Sequence, residues 1–183
     1  MVKIYTRKGD QGFTGLLTGE HVAKDDPRLE ALGAIDELVA SLGAARAETQ
    51  VAGTLTLLTA IQSELYLILA DIASVAADGQ RRPSALPKDV VAIMESVIDR
   101  HEAQLPPLRE FVMPGESRAS AALHLARTVC RRAERRVVSA ARSYPLAERV
   151  PTYLNRLSDL LFVLARFEDH TAGGGDKTFK SAL

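Results

Sequence analysis

Apolar side chains recur every three or four residues over most of the chain, the spacing that places them on one face of a helix. Leu29, Leu32, Ile35, Val39 and Leu42 follow it first, then Leu55, Leu58, Ile61, Leu65, Ile68 and Ile72. Val90, Val91, Met94, Val97 and Ile98 make a third set, and Leu123, Ala126, Cys130, Ala133 and Val137 a fourth. Leu154, Leu157, Leu161, Leu164 and Phe167 make a fifth. Asp26 can cap the first helix and Pro27 suits its first position, which predicts a helix over 28–47. The other sets predict helices over 51–78, 88–102, 117–143 and 147–170. Leu105-Pro106-Pro107 stops the third and Tyr144-Pro145 the fourth.

The two ends lack this rhythm. Gly9, Gly12, Gly15 and Gly19 punctuate residues 1–24, with Thr6, Thr14 and Thr18 between them. Val2, Ile4 and Tyr5 suit a short extended piece. Residues 171–183 are Gly-rich and read as a flexible, linker-like tail. The expected fold is all-α: one domain over 1–183, a five-helix bundle with ferritin-like up-down packing over 25–170, and a non-helical N-terminal arm.

The fourth helix carries a second pattern. At about 100° per residue, Arg127, Arg131 and Arg135 share a face beside the apolar one, and Arg132 and Arg136 point elsewhere. Like charges at i,i+4 repel. Two things can offset this: solvation with ion pairing to Glu134 and to acids on other helices, or a bound polyanion. Arginine suits the second, because its planar fork takes phosphate oxygens in pairs. The glycines, threonines and cations of Thr6-Arg7-Lys8-Gly9-Asp10-Gln11-Gly12-Phe13-Thr14 could likewise form an anion nest, or simply a flexible arm. No Walker loop is present, and Lys177-Thr178 lacks the spacing of one.

Composition narrows the choice. Lys plus Arg and Asp plus Glu both number 23, so no overall basic field exists to hold nucleic acid. No apolar run is expected to span a membrane and no signal peptide is evident at Met1, so a cytoplasmic setting is expected. His21, His101, His124 and His170 lack ligand spacing, and the single cysteine, Cys130, falls on an apolar face where packing is its expected role. Asp36 lies near the Leu29/Leu32 side and needs a partner. Phe111, just before Pro114-Gly115, is either a core plug at a helix entrance or a ligand contact.

Three blocks together carry a resemblance. They are Ile4-Tyr5-Thr6-Arg7 with Gly9-Asp10, Gly12 and Thr14; then Val22, Lys24-Asp25-Asp26-Pro27-Arg28 and Asp36-Glu37-Leu38; then a third block over about 111–159. The third contains Phe111-Val112, Pro114-Gly115, Leu123-His124, Ala126-Arg127, Cys130-Arg131-Arg132-Ala133-Glu134-Arg135 and Tyr153-Leu154-Asn155-Arg156-Leu157-Ser158-Asp159. The chain resembles the PduO-type ATP:cob(I)alamin adenosyltransferases. That resemblance implies a homotrimer which transfers the 5′-deoxyadenosyl group of ATP to cob(I)alamin, with ATP between subunits and Mg²⁺ on its phosphates rather than in a protein cage. It implies ATP contacts from Thr6, Arg7, Gly9, Asp10, Gly12, Thr14, Lys24, Arg28, Arg131, Glu134, Arg135 and Asn155, with Arg127, Arg131 and Asn155 acting in catalysis. It further implies an Asp36–Arg127 ion pair between subunits, Phe111 under the cobalamin, a reductase supplying cobalt(I), and a cobalamin-dependent acceptor of the product. Leu32, Val39, Glu116 and the short tail, with Phe179 as the nearest counterpart of the family's C-terminal aromatic, depart from the pattern. A non-catalytic nucleotide- or corrinoid-binding protein is the alternative class.

Overall fold

The structure is a computed structural model in which Tyr5, Arg7 and residues 9–179 are described. Val2, Ile4, Thr6 and Lys8 lie outside the described residues. Five helices account for most of the rest: α1 (Pro27–Glu48), α2 (Ala52–Ala73), α3 (Val90–Glu102), α4 (Arg118–Ala140) and α5 (Arg149–Thr171). α4 lies between α1 and α5; α2 packs against α1 and α3 against α5. The periodic positions explain this order. Leu123, Ala126, Cys130, Ala133 and Val137 of α4 are all fully buried, as are Leu154, Leu157, Leu161 and Leu164 of α5. Small residues on α4 let its backbone approach both neighbours closely, which suits the central position.

The Asp26 cap read from sequence is present, and a second cap lies at Ser117. The Asp26 carboxylate accepts from the Arg28 amide at 2.8 Å, and the Ser117 hydroxyl accepts from the Ser120 amide at 3.1 Å. α2 ends earlier than expected, at Ala73 rather than near residue 78. Two contacts from distant residues take the next turn out of the helix: Arg28 Nη1 donates to the Val75 carbonyl at 2.7 Å, and the Ala77 amide donates to Glu20 Oε1 at 2.9 Å. α2 is also long and apolar enough to cross a membrane by length and composition, contrary to the sequence expectation. Here its stripe packs against α1, and its Glu64 accepts a hydrogen bond from buried Tyr153 of α5 at 2.7 Å.

The arm is more ordered than its glycines suggested. β1 (Phe13–Gly15) and β2 (His21–Ala23) form an antiparallel hairpin, with Thr14 opposite Val22. The tail departs further from expectation. Val112 bridges Thr178, the Met113 amide donates to the Lys177 carbonyl at 2.7 Å, and the Phe179 amide to the Phe111 carbonyl at 2.8 Å. The segment that reads as a linker is therefore a strand held against the loop before α4. Its anchor is Asp176, paired with the buried Arg166 of α5.

Candidate functional site

Among the described residues, none of Arg127, Arg131 and Arg135 forms an ion pair, whereas the two arginines off that face do. Arg132 pairs with Glu37, and Arg136 pairs with Glu30 at 3.5 Å, both on α1. The acids of α1 thus serve the α1–α4 contact, and the stripe shares its grooves with Glu95, Asp99, Glu102, Asp159 and Glu134 without pairing to any of them among the described residues. Arg127 is half-buried, and its Nε is shielded from solvent with no hydrogen-bond partner among the described residues. Burial, and then the neighbouring charge of Arg131, push its pKa down. A cation held this way favours an anion.

Two open grooves meet at Arg131. One, of about 460 Å³, runs between α3, α4 and α5 past Arg127 and Phe162. The other, of about 450 Å³, is lined by Arg131, Glu134, Arg135, Arg142 and Asn155. Asn155 Nδ2 donates to Glu134 Oε1 at 3.1 Å, so α5 fixes the orientation of the groove's one lining carboxylate. Arg156 also borders the first groove but is taken by Glu95 at 2.8 Å and Asp159 at 3.1 Å. Beside the stripe, His124 is buried against the Phe162 ring with neither nitrogen partnered among the described residues, and burial followed by Arg127's charge lowers its pKa. Cys130 is fully buried and its Sγ donates to the Leu154 carbonyl at 3.2 Å; burial pushes the thiol pKa well up, which fits packing rather than nucleophilic chemistry.

In the arm, the structure brings Gly9, Gly12 and Lys24 together. The Lys24 amide donates to the Gly12 carbonyl at 2.8 Å. A Cβ built at Gly9 would lie 3.2 Å from Lys24 Nζ, so the loop folds directly onto that cation. Gly12 has φ +84° and Arg7 φ +61°, both in the left-handed region that turns the backbone sharply. Asp10 is exposed and Thr14 half-buried in β1; Thr6 lies outside the described residues.

Arg28, among the expected ATP contacts, is engaged within the fold. Its side chain is 1% exposed, and its donors go to Asp26, to Glu20 at 3.0 Å and to the Val75 carbonyl, under the Tyr144 ring at 4.1 Å. It ties the hairpin, α1, the end of α2 and the α4–α5 turn together. Asp36 is exposed, and among the described residues no cation lies within ion-pair distance of it. The core-plug reading of Phe111 fails, since the residue is 84% exposed. In the pairing of the loop with the tail, Phe111 stands opposite Phe179, itself 58% exposed, so both rings project from one face of the strand pair. Sequence reasoning did not join these two rings, because nothing local signals pairing between positions so far apart.

Comparison with known proteins places nearly the whole chain beside one family. A family described as cobalamin adenosyltransferase matches residues 4–168. A corrinoid adenosyltransferase of Citrobacter freundii is 43% identical over 171 residues, 93% of this chain and 97% of that one. The PduO corrinoid adenosyltransferase of Salmonella typhimurium is 41% identical over 169 residues, and the chain spans about half its length, 50%. A solved phenylalanine-to-histidine variant of the PduO-type ATP:corrinoid adenosyltransferase from Lactobacillus reuteri, complexed with cobalamin and ATP, is similar with a TM-score of 0.89 and 31% identity, covering 98% of this chain and 97% of that one. Because the family match runs from the arm to the last turns of α5 rather than over one motif, the chain belongs to the cobalamin adenosyltransferase family.

Proposed function

We propose that the protein transfers the 5′-deoxyadenosyl group of ATP to cob(I)alamin, releasing triphosphate. The observation that carries this reading is the stripe of Arg127, Arg131 and Arg135, none ion-paired among the described residues, beside a groove lined by Glu134 and Asn155. Cobalt(I) is itself a strong nucleophile, so the chain need not supply one. Its electron pair forms the bond to C5′ while the C5′–oxygen bond breaks and triphosphate leaves. The arginines are placed to stabilise negative charge developing on that leaving group. Glu134, oriented by Asn155, would help to hold a Mg²⁺ on the nucleotide, which would supply further neutralisation of phosphate charge. The loop at Gly9 and Gly12, with Lys24 against it, offers backbone donors and a cation to the same polyphosphate.

The site is read as shared between subunits of a homotrimer. Among the described residues, no hydrogen bond or ion pair joins 9–24 to Arg127, Arg131, Glu134, Arg135 or Asn155, although one polyphosphate would need both. The unpartnered Nε of Arg127 and the unpaired, exposed Asp36 are complementary, and we assign them to one intersubunit pair. Phe111, with Phe179 opposite it, is read as an apolar surface beneath the corrin, excluding water and the lower ligand from cobalt. The test is direct: ATP, Mg²⁺ and chemically reduced cobalamin are added to the protein and the absorbance change of cobalt–carbon bond formation is followed. No change would reject the reading, and an active monomer by sedimentation would reject the shared site.

A further inference from the structure

Arg166 lies near the end of α5 with a side chain 3% exposed. A guanidinium so placed requires partners. Its Nε donates to Asp176 Oδ1 at 2.9 Å, its Nη2 to Asp176 Oδ2 at 2.7 Å, and the same Nη2 to the Pro106 carbonyl at 2.8 Å. Pro106 begins the loop that carries Phe111, and Asp176 begins the strand that carries Phe179. Every hydrogen bond of the Arg166 guanidinium among the described residues therefore goes to one of the two segments bearing the exposed rings. Below the clamp, the Gly174 amide donates to the Asp169 carbonyl at 3.0 Å, and a Cβ at Gly174 would meet that oxygen at 3.1 Å, a tight contact that glycine avoids where the tail approaches α5.

The strand pair itself is slight. Two backbone hydrogen bonds flank the Val112–Thr178 bridge, and a pair this short is not stable alone. We propose that Arg166 and Asp176 are positioning residues for the transfer reaction, clamping the Phe111 loop and the tail strand together so that both rings meet the corrinoid from one side. The inference rests on the reading of Phe111 as a corrinoid contact. Arginine's rigid fork can hold a carboxylate and a carbonyl at once, which a lysine would do without fixed geometry.

The test uses the full-length protein with Mg²⁺, ATP and cob(I)alamin. Asp176→Asn keeps the side chain's size and removes its charge. Amide exchange at Met113 and Phe179, the two donors of the strand pair, should quicken about tenfold or more, while amides of α4 and α5 keep their protection. KM for cobalamin should rise about tenfold and KM for ATP stay within about twofold, with Asp176→Glu recovering part of the loss. If Asp176→Asn alone does not fold, the Arg166→Gln/Asp176→Asn pair removes both charges and is held to the same outcomes. Unchanged exchange at Met113 and Phe179 in a folded variant would overturn the clamp. So would faster exchange with an unaltered cobalamin KM where Phe111→Ala raises it. If Phe111→Ala also leaves cobalamin KM unaltered, the corrinoid reading fails and the positioning role with it, whatever the exchange data say about the strands.

Discussion

Replacing Phe111 by alanine separates a packing role from a chemical one, because the structure sets the packing contribution in advance. At 84% exposure only about a sixth of the residue's surface is covered. A phenylalanine that exposes about 200 Å² when extended therefore buries roughly 30 Å² here, worth about 0.8 kcal/mol. A core phenylalanine would cost about 3–5 kcal/mol. Thermal melts should accordingly shift by no more than a few degrees. Turnover should fall unequally in two assays. When the protein must assist reduction of Co(II), loss of the ring admits water or the lower ligand, keeps cobalt five-coordinate, and should cut the rate by about 100-fold, or about 2.7 kcal/mol. When cob(I)alamin is supplied ready-made, the rate should fall by less than about tenfold. Equal losses in both assays, with circular dichroism unchanged, would refute the argument and leave the corrinoid surface elsewhere.

Three other outcomes follow from the site and its anchors. Arg131→Ala should lower kcat/KM for ATP by about 2–4 kcal/mol while changing stability by less than about 1 kcal/mol, since its neighbours on the stripe repel it when no anion is bound; steady-state kinetics and denaturant melts check the pair. A double-mutant cycle on Asp36 and Arg127 should give a coupling energy of about 1 kcal/mol or more in the assembled protein, and none would break the proposed subunit contact. Arg28→Met should cost about 2 kcal/mol, less than a fully buried pair because Asp26 and Glu20 keep some access to water. The hydrogen bond from Arg28 is the main reason the Asp26 pKa lies below its usual value. A depressed carboxylate contributes stability above its unfolded pKa and loses it as pH falls through the folded value. The gap between wild type and Arg28→Met should therefore be full near neutrality and shrink below about pH 4 in urea titrations.

The helices and the arginine stripe were legible because each is a local periodic property. Leu123 through Val137 and Leu154 through Leu164 announce their buried faces with no help from the rest of the chain. What stayed hidden depends on single long-range contacts. Val75 and Ala77 read as helix because nothing nearby signals that Arg28 and Glu20 will claim their backbone groups. Gly173-Gly174-Gly175 reads as a linker because the ion pair that orders the residues after it comes from α5. At the site, periodicity put Arg127, Arg131 and Arg135 on one face of α4, while the hydrogen bond from Asn155 to Glu134 is a contact between helices that spacing alone does not give. The burial of Arg28 was not legible, because its motif position beside Asp26 and Pro27 looks the same whether the guanidinium faces solvent or the interior.

The chain's lone cysteine turns its own packing into an instrument. Cys130 is inaccessible and bonded to the Leu154 carbonyl across the α4–α5 seam. A thiol reagent can reach it only after the packing around it opens, and with one cysteine in the sequence all labelling comes from this site. The labelling rate in native buffer therefore reports the population of forms opened at the core of α4, next to the turn that carries Glu134. Increasing ATP, by mass action on the closed form, should slow labelling by a factor that grows with its ratio to the dissociation constant, giving a binding isotherm that needs neither turnover nor an added dye.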